Sequence, residues 1–121
     1  MAYDSDCLFC KIASGAISAT VVLETERVVA FRDLNPQAPT HVLVIPRDHH
    51  RDVGALAADA PDVLAELVQA AVHVAADEDL AVDGDAGGHR LVFNTGAGAG
   101  QSVFHAHGHV LGGRPLAWPP G

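Results

Sequence analysis

Near the end of the chain three histidines alternate with small residues, in His105-Ala106-His107-Gly108-His109. On an extended strand a period of two carries all three imidazoles to one face, with neighbours roughly 6.5 to 7 Å apart. Such a row is costly to bury without partners, and each ring can serve as metal ligand, base, nucleophile or phosphate donor. Directly before it stands Asn94-Thr95-Gly96-Ala97-Gly98-Ala99-Gly100-Gln101-Ser102. Its glycines let the backbone turn sharply and aim amides at an anion. Taken alone, that loop reads equally well as a flexible hairpin connection; its place beside the histidines favours phosphate.

A second group lies at the other end of the chain, in Cys7-Leu8-Phe9-Cys10. A CxxC pair can be half of a zinc site, which needs two further soft or borderline ligands in tetrahedral geometry. It can also be two free buried thiols. A redox pair fits worst, because the surrounding fold pattern is wrong for it. His50, His73 and His89 have no motif around them and read as surface or helix-face residues.

The elements that must position these groups follow from local patterning. Ser5 to Gly15 predicts a short helix, capped by Asp6 or Ser5 and stopped by Gly15, with both cysteines near its start. Val21-Val22-Leu23 and Val28-Val29-Ala30-Phe31, split by Glu24-Thr25-Glu26-Arg27, predict a hairpin. The prolines of Leu34 to Thr40 forbid regular pairing, and they lead into His41 to Pro46, apolar on both faces and therefore a central strand. From Asp59 on, Val63, Leu64, Leu67, Val68, Val72 and Ala75 form a stripe, with Ala71 filling it and Asp62, Glu66 and Gln69 on the wet side. This predicts one long helix, with Asp59 as its cap and Pro61 in its first turn. Beyond the turn-rich Asp83 to Gly88, His89 to Asn94 and Phe104 to Leu111 predict two more strands. Residues 112–121 form an irregular tail, being rich in proline and glycine. The expected class is α+β, a single domain over 1–121 with an antiparallel sheet covered by helices on one face.

Composition sets the outer limits. The 121 residues are 49% hydrophobic and 18% charged, a globular balance with room for one core. Seven basic against fifteen acidic residues give a net charge of −8, which repels nucleic acid and leaves phosphate to be held by local amides, histidines or a metal. The start at Met1 to Asp6 lacks the features of a secretory signal, and no apolar run approaches a membrane span. A cytoplasmic protein with reduced thiols and no membrane partner is expected.

The run His105-Ala106-His107-Gly108-His109-Val110-Leu111 resembles the HxHxHxx signature of the histidine-triad (HIT) proteins. Phe31 to Pro46, Gly100-Gln101-Ser102-Val103 and the Trp118-Pro119-Pro120-Gly121 end are similar to the Hint branch of that family. The likeness runs from about Cys7 to Gly121. Two positions depart from it: Gly108 stands where a bulky apolar residue is usual, and Thr95 where an acidic one is common.

The resemblance implies an α+β sheet of about five strands with one long and one short helix, continued across a homodimer. It implies a nucleotide hydrolase acting on purine nucleoside 5′-phosphoramidates through a covalent nucleotidyl-histidine. His107 would be the nucleophile, His109 would contact phosphate oxygens, His41 would be part of a proton relay, Ser102 and the amides around Gly100 and Gln101 would steady the phosphate and the leaving group, and Asn94 would be a further substrate-binding residue. Asp33 would accept from the ribose hydroxyls, and Phe9, Ile12 and Leu34 would wall the base, though Ile12 and Leu34 read equally well as core. A structural zinc would be held by Cys7, Cys10, His49 and His105; without zinc, His105 returns to the relay. Two other readings stay open: hydrolysis or phosphorolysis of dinucleoside polyphosphates, and a nucleotide-binding interaction module whose turnover is incidental.

Overall fold

The computed structural model describes residues 3–80, 82 and 87–121. Helix α1 spans Leu8–Ser14 and is followed by a hairpin of β1 (Val21–Glu24) and β2 (Val28–Arg32). Then come β3 (Thr40–Pro46), α2 (Val53–Asp59), α3 (Pro61–Asp77), β4 (His89–Val92) and β5 (Gly108–Gly112). The strands form one antiparallel sheet in the order β1-β2-β3-β5-β4. The class is α+β, as the patterning implied.

Strand β3 is buried along its whole length and occupies the middle of the sheet. Its alternate residues serve two cores. Val42 and Val44 join Val28, Ala30 and Val110 beneath α3, while Leu43 and Ile45 join Val29 and Phe31 beneath α1. Helices therefore cover both faces of the sheet. The expectation of one covered face is corrected, because a strand run apolar on both sides needs a partner on each.

Three helices replace the two expected. Sequence patterning missed α2, whose N-cap is Asp52, its side chain accepting from the Ala55 amide at 2.9 Å. Asp59 is the last residue of that helix and caps nothing; α3 begins at Pro61 behind Ala60, with no side-chain cap. The buried face of α3 is Leu67, Ala70, Ala71, Val74 and Ala75. Val68 and Val72, assigned to that face from sequence, are 38% and 53% exposed, because the small alanines let α3 lie close to the sheet on the neighbouring stripe. Gln69 faces solvent as expected, as does Asp62, while Glu66 is held by Thr25 and Arg27.

Cys7 rather than Asp6 or Ser5 caps α1, its Sγ accepting from the Cys10 amide at 3.4 Å. The last strand begins later than expected, at Gly108. Before it, the Ala106 amide donates to the His50 carbonyl at 2.7 Å, so this stretch is tied to the loop after β3 instead of to a strand. His50 is thereby drawn inward, its side chain 13% exposed, whereas His73 lies on the surface of α3. Of the turn-rich segment, residues 83–86 lie outside the described residues, as do Met1 and Ala2. Among the described residues no helix is long and apolar enough to cross a membrane.

Candidate active site and metal centre

Although only His109 of the three histidines lies within β5, the alternation survives in the extended segment before it. Ala106 and Val110 point into the core under α3, which leaves His105, His107 and His109 for the opposite face, beneath α1. In the register of β3 on β5, Leu43 faces His109 and His41 faces Leu111. His41 is thus the diagonal neighbour of His109 on one face. Their Nε2 and Nδ1 atoms are 2.9 Å apart.

Hydrogen bonds fix the protons on these rings. The Gln37 amide donates to His41 Nδ1 at 3.0 Å, so the single N–H of a neutral His41 must sit on Nε2. That N–H donates to His109 Nδ1, which places the His109 proton on Nε2. His109 Nε2 is buried and has no hydrogen-bond partner among the described residues. At His107 the Nδ1–H donates to the His105 carbonyl at 2.7 Å, leaving Nε2 bare. A basic nitrogen and an unpartnered N–H donor therefore stand side by side, on rings whose centroids are 4.9 Å apart.

Burial keeps the rings neutral. Desolvation lowers the pKa of His41 and of His107, opposed at both by the charge of Asp33 and at His107 by the bond to the His105 carbonyl. His109 falls to about 4, mainly through burial and then through the neighbouring His107 and His41. Asp33 lies against the pair, its Oδ2 3.4 Å from His41 Nε2, while its Oδ1 accepts from the Asn35 amide at 2.8 Å.

His107 and His109 open onto a cavity of about 290 Å³ whose apolar lining includes Phe9, Ile12 and Leu34. Asp33 and Ser102 also line it. Phe9 is buried and meets His107 edge-on, with centroids 5.0 Å apart. Leu34 is fully exposed at the rim, so the alternative of a core residue falls away there, and Ile12 is half-buried. Phe31, Leu43 and Ile17 complete the apolar walls without having been singled out from sequence. The only signal for them is apolar character, which core residues share.

The glycine loop departs from expectation. It makes a single 3-10 turn at Ala97–Ala99 between Gly96 (φ 88°) and Gly100 (φ 97°). The Gly100 amide donates to Ala97 O at 3.0 Å and the Gln101 amide to Gly96 O at 3.1 Å, so neither is free for a phosphate. The buried Gln101 side chain accepts from the Gly96 amide at 2.8 Å and donates to Arg51 O and Val103 O. Gly100, Gln101 and Asn94 do not line the cavity; they shape the loop that presents Ser102, which is exposed.

The cysteine pair has found its partners. One donor atom from each of Cys7, Cys10, His49 and His105 falls in a group whose members all lie within 4.8 Å of one another. His105 Nδ1 is 3.4 Å from Cys7 Sγ and 3.5 Å from Cys10 Sγ, and His49 Nδ1 is 3.5 Å from Cys10 Sγ. Tetrahedral zinc with ordinary Zn–S and Zn–N lengths would space its ligands roughly 3.3 to 3.8 Å apart, so the donor set fits such an ion. The far nitrogen of His105 donates to Pro46 O at 2.8 Å, the second bond that orients a ligating imidazole. Without a cation, burial pushes the Cys10 thiol up to about 11. The ring nitrogens of His105 are directed at this group and at Pro46 O.

The α+β sheet thus aims a bare imidazole nitrogen into an apolar cavity, with an N–H donor beside it. Residues 14–116 match the HIT domain, and the chain belongs to the HIT family. It is 45% identical to a 14 kDa zinc-binding protein of Zea mays over 120 residues, covering 98% of this chain and 90% of that one. It is 40% identical to the purine nucleoside phosphoramidase of Escherichia coli over 109 residues, covering 90% and 88%. A HIT family hydrolase from Legionella pneumophila superposes with a TM-score of 0.87 at 48% identity, covering 96% of this chain and all of that one.

The low His109 pKa has a consequence for stability. A histidine in the unfolded chain titrates near 6.5, so protons bind the unfolded form more tightly than the folded one. Stability should hold above about pH 6.5 and fall as the pH drops toward 4. Melting temperatures across that range should show the fall, and His109→Gln should make it shallower while His105, also lowered to about 4, keeps part of it; an equal slope in the variant would refute the assignment.

Proposed function

We propose that the protein hydrolyses the P–N bond of purine nucleoside 5′-phosphoramidates, releasing the nucleoside monophosphate and an amine. The observation that carries this reading is the bare Nε2 of His107 beside the unpartnered Nε2–H of His109. His107 Nε2 attacks the α-phosphorus, a P–N bond forms to the imidazole, and the bond to the leaving amine breaks. Binding of the anionic substrate favours uptake of one solvent proton by the His109–His41 pair, and the leaving nitrogen receives that proton. Water then attacks the nucleotidyl-histidine, returns a proton to the pair and restores His107.

Around that step the donors act on developing charge. His109 Nε2–H and the Ser102 hydroxyl reach the non-bridging phosphate oxygens, a preorganised set of the kind that suits phosphoryl transfer. Phe9, Ile12 and Leu34 take the purine, and the free oxygen of Asp33 accepts from the ribose. The likeness to a phosphoramidase supports P–N over P–O–P cleavage. Adenosine 5′-phosphoramidate should be turned over to AMP, and His107→Ala should lose more than the roughly 10²–10⁴ that general base help supplies. Binding of AMP without turnover of this compound or of dinucleoside polyphosphates would leave only a binding module.

Cys7, Cys10, His49 and His105 would hold one zinc ion in a closed, structural site, where it ties α1 to the loop after β3 and to the segment before β5. The zinc-binding name of the maize relative supports the choice of metal. Metal analysis of freshly purified protein should find about one zinc per chain, lost in Cys10→Ser; metal-free wild type would sink the assignment.

The protein also acts as a homodimer in this reading. Strand β4 is a sheet edge, and Val68 and Val72 leave an apolar stripe on the outer side of α3. Pairing two copies along these elements would extend the sheet and cover the stripe. Light scattering should give twice the chain mass, and Val72→Asp should shift it toward one; a wild-type monomer would refute the pairing.

A further inference from the structure

Gly108 is the link between the nucleophile and its neighbouring donor. A Cβ placed there would lie 2.9 Å from Leu91 Cδ1, 3.1 Å from Phe93 Cζ and 3.2 Å from Phe93 Cε1. The space beside the glycine is therefore already filled. Leu91 lies on β4 and Phe93 just beyond it; both are half-buried and pack against the core under α3. Register places Leu91 opposite Val110 and Val92 opposite His109, so this pair of side chains lies over the catalytic end of β5.

Glycine leaves the backbone more freedom than any other residue. At this position that freedom would fall between two imidazoles whose rings stand 4.9 Å apart and whose relative placement decides whether nucleophile and donor meet one phosphate. Nothing attached to residue 108 restrains it. The restraint comes from pairing with Val44 on β3 and, on the other side, from the side chains of Leu91 and Phe93.

We propose that Phe93 is a positioning residue for His107 and His109. Its ring, with Leu91, takes the volume that a side chain at position 108 would occupy and holds the backbone between the two histidines in one conformation. The packing stands on its own; only its kinetic consequence rests on the function proposed above.

The test compares wild type, Phe93→Ala, Gly108→Leu and the double variant Phe93→Ala/Gly108→Leu, each as the full chain. Two readouts are used: kcat and KM on adenosine 5′-phosphoramidate, and proton–carbon spectra of ring-labelled histidines. Phe93→Ala should lower kcat by about 10- to 100-fold with KM changed less than about threefold, since small misplacements of reacting groups cost that much. The ring signals of His107 and His109 should broaden or double. Gly108→Leu alone overpacks against the phenyl ring and should lose a similar factor. The double variant moves the bulk from one strand to the other and should regain most of kcat and a single set of signals.

Wild-type kcat and unchanged signals in Phe93→Ala would overturn the proposal. So would a double variant no better than Phe93→Ala. Should Phe93→Ala fail to fold, Phe93→Leu provides the milder step and should show the same split at smaller size; equal loss in kcat and in folded fraction there would mean a structural role only. Should wild type not turn over the substrate, the proposed reaction fails while the ring signals still decide the positioning: broadening in Phe93→Ala with recovery in the double variant supports it, and an unchanged set refutes it.

Discussion

The site depends on how His105 is held. The residue has no solvent exposure, and both ring nitrogens and its carbonyl are engaged. Nδ1 sits among the cysteine sulfurs, Nε2 donates to Pro46 O, and the carbonyl accepts the Nδ1–H of His107. The first contact ties it to α1, the second to the end of the central strand, and the third fixes which nitrogen of His107 is free. Burial drives its pKa down to about 4, so the ring stays neutral and can offer a lone pair to a metal. One backbone carbonyl thus joins the Cys7–Cys10–His49–His105 group to the histidines that face the cavity.

The same economy appears at His41. A backbone amide, that of Gln37, sets its tautomer, and the consequence passes through His109 to the donor in the cavity. The two prolines around Gln37 make this possible, because they keep the segment out of the sheet and leave its amide free to turn back. Neutral rings also suit the chain's charge. With a net −8 on the molecule, a cavity lined by a hydroxyl and neutral imidazoles offers directed donors rather than a basic field.

Much of this was legible in the residues themselves. The central strand could be read because His41 to Pro46 is apolar on both faces, and the row of histidines because a period of two survives in any extended backbone. The hairpin, the CxxC helix and the family followed from short-range pattern. What stayed hidden was set by tertiary contact. Val68 and Val72 continue the apolar stripe of α3, and only the close approach allowed by Ala70, Ala71 and Ala75 decides which side is buried. Helix α2 is short and begins on Asp52, in a stretch where alanines carry no periodic signal. The use of the Gly100 and Gln101 amides inside their own loop could not be read from glycine content, since a loop that presents donors and one that consumes them have the same composition.

Gly108 shows how the two kinds of information combine. In the sequence it is a gap between two histidines of the triad and suggests a loosened strand. In the fold that gap is filled from β4, by a ring and a leucine whose own positions along the chain carry no hint of it. A core keeps its density by distributing volume among neighbours, so a small residue on one strand is answered by a large one on the next. The packing around β5 is then a property of the pair of strands, and a change of volume at Gly108 or at Phe93 must be met by the other.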